Sequence, residues 1–167
     1  NSSNSIGKSR FNSLLSVIDK TSTSIGKRYL KDQLLNPISN ADEINNRYSL
    51  VNFFYKDDNY KVFSEILSKI TDLEKYHRRI TMQLIQPADF YFLDYSYSNV
   101  FHLLNLEPQI PDSIRPSRES IAALQKFKER INNIFDISKI TKYHTDNIDE
   151  SFFNKGFSSE IDEIQDK

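Results

Sequence analysis

The chain has 167 residues, 27% charged and 38% hydrophobic, at a formal net charge of −1: the balance of one globular domain or of a piece of something larger. A free-standing nucleic-acid binder is disfavoured, because such proteins draw most of their affinity from neutralising phosphates and carry a basic surplus. With no Cys, three Gly and five Pro, the chain has no disulfide or thiolate metal site, fits an intracellular setting, and is short of turn formers for a sandwich or barrel.

The start, "NSSNSIGKSR", is polar, lacks the apolar core of a signal peptide and does not begin with Met, so residues 1–10 read as a flexible lead-in at a processed or excised end. Phe11, Leu14, Leu15 and Ile18 then give one apolar face of a short helix. Ile25, Tyr29, Leu30 and Leu34 keep helical spacing in a second, ended by Asn36-Pro37 because a residue before proline avoids the helical region. Asn40 and Glu43 form a capping box ahead of a helix with Ile44, Tyr48, Val51, Phe54 and Tyr55 on one face. Tyr60, Phe63, Ile66, Leu67 and Ile70 mark the next. Thr71 and Glu74 suggest a second capping box, opening "TDLEKYHRRITMQLI".

Pro87 suits a first helical position, and the helix behind it is aromatic: Phe90, Tyr91, Phe92, Tyr95, Tyr97 and Phe101. After the break "LEPQIPDSIRPS", Ser117 caps a long helix striped with Ile121, Leu124, Phe127, Ile131, Ile134 and Phe135. Gly156 breaks the chain before a short acidic helix. Residues 1–35 are basic on balance and residues 146–167 acidic. No stretch alternates strictly enough for a strand, no fixed-period repeat stands out, and no run reaches the about 18 apolar residues of a membrane span. The fold class is all-α, an irregular multi-helix arrangement.

Little in the sequence assembles chemistry. Gly7-Lys8-Ser9 lacks the first glycine of a phosphate loop and a strand ahead of it. His77, His102 and His144 do not share metal-pair spacing, and His102, between apolar residues, reads as a semi-buried structural histidine. No serine occupies a Gly-x-Ser-x-Gly elbow, and Asp57-Asp58 and Asp149-Glu150 read as solvated carboxylates. The segment is therefore not expected to be catalytic, nor to hold a cofactor or metal. Two basic clusters, Lys27/Arg28/Lys31 and Arg78/Arg79 beside Tyr76 and His77, are candidate phosphate contacts, and helix 90–101 a candidate stacking platform for single-stranded bases. Exposed helix faces or a structural Arg–carboxylate pair are the plainer reading of the basic clusters, and core aromatics that of the helix.

Gly26 stands in the first turns of the second helix, behind Thr21 or Thr23 as N-cap, where glycine costs about 0.5–1 kcal/mol against alanine. The expectation is a close approach of another backbone at that point, with Arg28 reaching back to Asp19 to tie the first two helices.

The segment "SLLSVIDKTSTSIGKRYLKDQLLNPI", through Leu14, Leu15, Ile18, Asp19, Thr21, Thr23, Gly26, Arg28, Leu30, Leu34, Pro37 and Ile38, resembles the opening signature of the third (core, or lever) domain of the MutS family of DNA mismatch-repair proteins. "ISNADEINNRYSLVNFF", "ITDLEKYHRRI" and "FFNKGFSSEIDEIQ" are similar to later elements of that domain. The aromatic middle looks closer to the divergent branch of large DNA viruses and some organelles. The resemblance implies a helical core spanning 11–147, an acidic segment 148–167 leading toward an absent clamp, and a parent that is a dimeric, DNA-dependent ATPase using ATP and Mg. It would bind mismatched double-stranded DNA, with no membrane involved. In that parent this segment is a scaffold, without chemistry of its own, contacting other domains of the same chain. Two other readings are a free-standing helical protein-interaction module and an autonomous nucleic-acid binder.

Overall fold

The computed structural model describes residues 13–140 and 151–166; Phe11, Gly7–Ser9, His144 and the start of the acidic segment lie outside them. Side-chain caps set most of the helix starts. Ser13 accepts the Ser16 N–H at 3.2 Å and opens α1, Leu14–Ile18. Thr23 opens α2, Ser24–Leu35, and Asn40 accepts the Glu43 N–H at 3.0 Å to open α3, Ala41–Tyr55. Asp42 and Glu43 add negative charge where the helix dipole favours it. A 3-10 turn, Lys56–Asp58, leads into α4, Asn59–Leu67.

The next start departs from expectation. Asp72, not Thr71, caps α5, Leu73–Thr81, accepting the Lys75 N–H at 3.2 Å. Thr71 is engaged elsewhere: its N–H and hydroxyl meet the Ser96 hydroxyl at 3.1 and 2.7 Å. Helix α5 ends with the Gln83 and Leu84 N–H groups bonded to the Ile80 and Arg79 carbonyls, at 2.9 and 2.8 Å. This closure places Gln83 at φ 57°, where glycine is the usual occupant.

Pro87 opens α6, Pro87–Leu104, as its spacing anticipates. Ser117 caps α7, Arg118–Ile134. The short α8, Ile137–Ile140, and α9, Ser159–Gln165, follow, with Gly156 at φ 86° ahead of α9. Among the described residues the fold is all-α: the extended pairing is one antiparallel bridge, Phe135 with Phe153, and no strand forms. That bridge docks the chain after 150 along the end of α7, helped by Asn154, whose side chain donates to the Asn132 carbonyl at 2.7 Å.

Helix α6 is the spine, and its aromatic residues are core to different degrees. Near its start, Leu93 and Tyr97 bury with Ile131 against Leu73, Tyr76, Ile80 and Phe127. Near its end, Leu104 buries with Phe63 and Ile110 against Phe53 and Phe54. Phe101 packs on both clusters. Full burial of a side chain such as Leu93 is worth about 1.5–3 kcal/mol. Burial also pushes the Tyr97 hydroxyl up to about 12, while its oxygen meets the ring nitrogen Nε2 of His77.

Two expectations about burial fail. His102 is exposed, on the outer side of α6. Helices α1, α2 and α3 form where the spacing places them, yet contain no buried residue. Leu35, Tyr48 and Tyr55 remain 69%, 64% and 77% exposed. An apolar stripe specifies that a helix has a face to bury; it does not supply the surface that covers it.

Candidate functional site

The signature around Gly26 builds a joint. Asp19, after α1, accepts the Thr21 N–H and hydroxyl at 3.1 and 2.6 Å, a turn that carbonyl-bearing short side chains favour. These bonds, with Lys27, hold the Asp19 carboxyl down at about 2. Thr23 then accepts the Gly26 N–H at 2.9 Å. A Cβ at Gly26 would meet the Thr23 hydroxyl oxygen at 3.0 Å and the Thr21 Cβ at 3.6 Å. The crowding expected at position 26 is therefore present, but it comes from the cap's own side chains and not from a passing backbone.

The expected tie from Arg28 to Asp19 is also replaced. Lys27 makes it, with Nζ 2.9 Å from Asp19. Arg28 points the other way, to the start of α5. Its two terminal nitrogens donate to the two Asp72 carboxylate oxygens, each at 2.8 Å, and Nη2 also reaches Glu74 at 2.5 Å. Asp72 thus serves twice, as N-cap and as partner of a forked guanidinium. The Arg28 side chain holds the Asp72 carboxyl below the usual carboxylate range, and the two acids raise Arg28 in return.

The remaining candidate cations divide. Arg79 bonds buried Asp89 at 2.9 Å, and Asp89 also accepts the Gln86 N–H, which joins the end of α5 to the start of α6. Lys31 and Arg78 are exposed, with no carboxylate partner among the described residues. Arg28, Asp72, Glu74, Lys75 and Arg78 surround a cavity of about 160 Å³ between α2 and α5. Sequence reasoning missed Asp72 and Glu74 as the partners of Arg28; the available signal was an Asp at a cap position with a second acid two residues on. Of the aromatic platform, Phe92 and Tyr95 are about 40% exposed, while Phe92 lies parallel to Tyr76 at 6.1 Å and Tyr95 to Tyr91 at 6.1 Å. Among the described residues no group of three or more His, Cys, Asp or Glu could hold a metal ion, and no helix is long and apolar enough to cross a membrane.

The two segments joined by Arg28 are among those that carry the likeness to the MutS core. The family model for MutS domain III matches residues 1–165. The chain belongs to the MutS family. A DNA mismatch repair protein mutS homolog of Acanthamoeba polyphaga mimivirus is 35% identical over 164 residues, covering 95% of this chain and 14% of that protein. It comes from a large DNA virus, the setting suggested by the aromatic middle. DNA mismatch repair protein MutS of Borrelia garinii is 31% identical over 155 residues, covering 91% of this chain and 15% of its own length. The Caldanaerobacter subterraneus MutS is 30% identical over 134 residues, with 80% and 14% covered. The chain thus spans about one seventh of these MutS relatives. No solved structure matches it.

Proposed function

We propose that this chain is the first half of the core, or lever, domain of a MutS-type mismatch-recognition ATPase. It is a helical scaffold that links the parts gripping DNA to the parts hydrolysing ATP. Residues 11–147 form the lever and 148–167 lead toward the clamp. The observation that carries this reading is the match to MutS domain III along residues 1–165. The open apolar faces of α1–α3 support it, because helices of that pattern bury against something in a finished protein. The clamp, the ATP and Mg site, the second subunit and the mismatched duplex belong to the parent. Mechanical coupling needs a rigid element with two arrangements, each biased by one of the two sites.

Of the five candidate phosphate contacts, Lys31 and Arg78 keep their charge unengaged among the described residues, since Lys27, Arg28 and Arg79 are held by carboxylates. Two cations left among the five candidates are too few for tight binding at that surface. The isolated chain is therefore expected to bind duplex DNA no more tightly than about 10⁻⁴–10⁻⁶ M at physiological salt, without mismatch preference. Fluorescence anisotropy with matched and mismatched duplexes measures this, and submicromolar mismatch-selective binding would refute the scaffold reading. Translation of the reading frame past Lys167 supplies the complementary check: a Gly-x-x-x-x-Gly-Lys-Ser/Thr loop is expected several hundred residues on.

A further inference from the structure

Helix α3 joins the body through Phe53 and Phe54, while α1 and α2 form an arm that adds no residue to either core cluster. Helices α1–α3 bury no residue, whereas the chain from α4 onward contains the buried positions of both core clusters. Among the described residues, core packing and side-chain bonds to that body fall at two places along α1–α3. One is the end of α3, where Phe53 and Phe54 pack on Phe63 and the Asn59 side chain donates to the Phe53 carbonyl at 2.9 Å. There the chain turns through Asp57 and Asp58 at φ 53° and 58°, two consecutive non-glycine residues in the left-handed region, a conformation that is disfavoured for residues with a Cβ.

The other attachment is Arg28. Among the described residues, no other side-chain hydrogen bond or ion pair joins α1 or α2 to the body. Around its cavity three cations, Arg28, Lys75 and Arg78, face two carboxylates, Asp72 and Glu74. The guanidinium is therefore attracted by the acids and repelled by its neighbours. Its side chain is 47% exposed, so dissolved ions reach it. Opening costs α5 nothing at its N-terminus, because the Lys75 N–H remains capped by Asp72.

We propose that Arg28 with Asp72 and Glu74 is a latch that holds the arm of α1 and α2 against the start of α5, and that this arm moves relative to the body when the latch opens. The latch rests on this chain's own contacts and stands or falls separately from the parent's ATPase activity.

The absence of cysteine allows clean paired labelling. Lys31→Cys on α2 and Ser98→Cys on α6 report arm against body; Ser98→Cys with Glu119→Cys reports α6 against α7. With nitroxide labels and double electron–electron resonance, the arm–body pair is expected to give one narrow distance distribution at low salt. Arg28→Gln should widen it about twofold as the arm samples both arrangements, with Arg28→Lys between the two. Raising salt to about 1 M, where the screening length falls to about 3 Å, should widen it with Arg28 intact. The body pair should stay narrow throughout. An unchanged arm–body width in both Arg28→Gln and high salt overturns the latch, as does a broad distribution at low salt with Arg28 present. If Arg28→Gln broadens the body pair as well, the salt series on the Arg28 chain decides alone.

Discussion

A Cβ placed on residue 26 would press on the hydroxyl that caps its own helix, so Gly26 and Thr23 are expected to be energetically coupled. In the native chain Gly26→Ala gains helix propensity, about 0.5–1 kcal/mol, but displaces a cap worth about 1 kcal/mol, so it should be neutral to destabilising. Once Thr23→Ala has removed the hydroxyl, the nearest remaining contact is the Thr21 Cβ at an ordinary 3.6 Å, and the same Gly26→Ala should stabilise. Urea melts of the two single variants and the double variant should return a coupling of about 1 kcal/mol; simple additivity would remove the account of this glycine. Asp19 offers a pH test of the same joint. Its folded carboxyl titrates at about 2, lowered chiefly by the Thr21 hydroxyl and then by Lys27. The unfolded state therefore takes up the proton first, so the stabilisation is complete above the ordinary carboxylate range and is lost as pH falls through about 2. Asp19→Asn should flatten that part of the stability profile, and a carboxyl ¹³C titration should place the residue's midpoint near the low value.

At the scale of elements, helix positions were legible because caps and three-to-four spacing are local. Asn40, Ser117 and Pro87 stand where their chemistry puts them. Thr71 and Asp72 are both cap formers, and nothing local reveals that Ser96, 25 residues on, takes the threonine. The partner of Arg28 was missed for a related reason: Asp72 is 44 residues away, and Asp19 was the nearer carboxylate. Burial was legible in α4, α6 and α7 and misjudged in α1–α3, because a stripe reports amphipathicity alone. Truncation separates the two cases. Leu93→Ala, at a fully buried site, should cost about 2–5 kcal/mol. Tyr55→Ser, at 77% exposure, should change the stability of this chain by no more than about 0.5 kcal/mol. Chemical denaturation of each variant measures both, and a large cost for Tyr55→Ser would mean that α3 is covered after all.

For the whole molecule, the proposed place inside a larger MutS parent would give the open apolar helix surface something to bury against. The joint at residues 19–28 and the contact of Arg28 with α5 orient α2; the rest of the parent is expected to supply the cover. A further property follows from the two core clusters strung along α6. Leu93 and Leu104 are eleven positions apart on one helix, about 16 Å at 1.5 Å per residue, and among the described residues Phe101 is the side chain that packs on both groups. That ring acts as a thermal rivet: with it in place the two ends should melt together in one calorimetric transition, and Phe101→Ala should split the heat-absorption peak in two. A single sharp peak in that variant would mean that the helix backbone alone carries the cooperativity from one end of the molecule to the other.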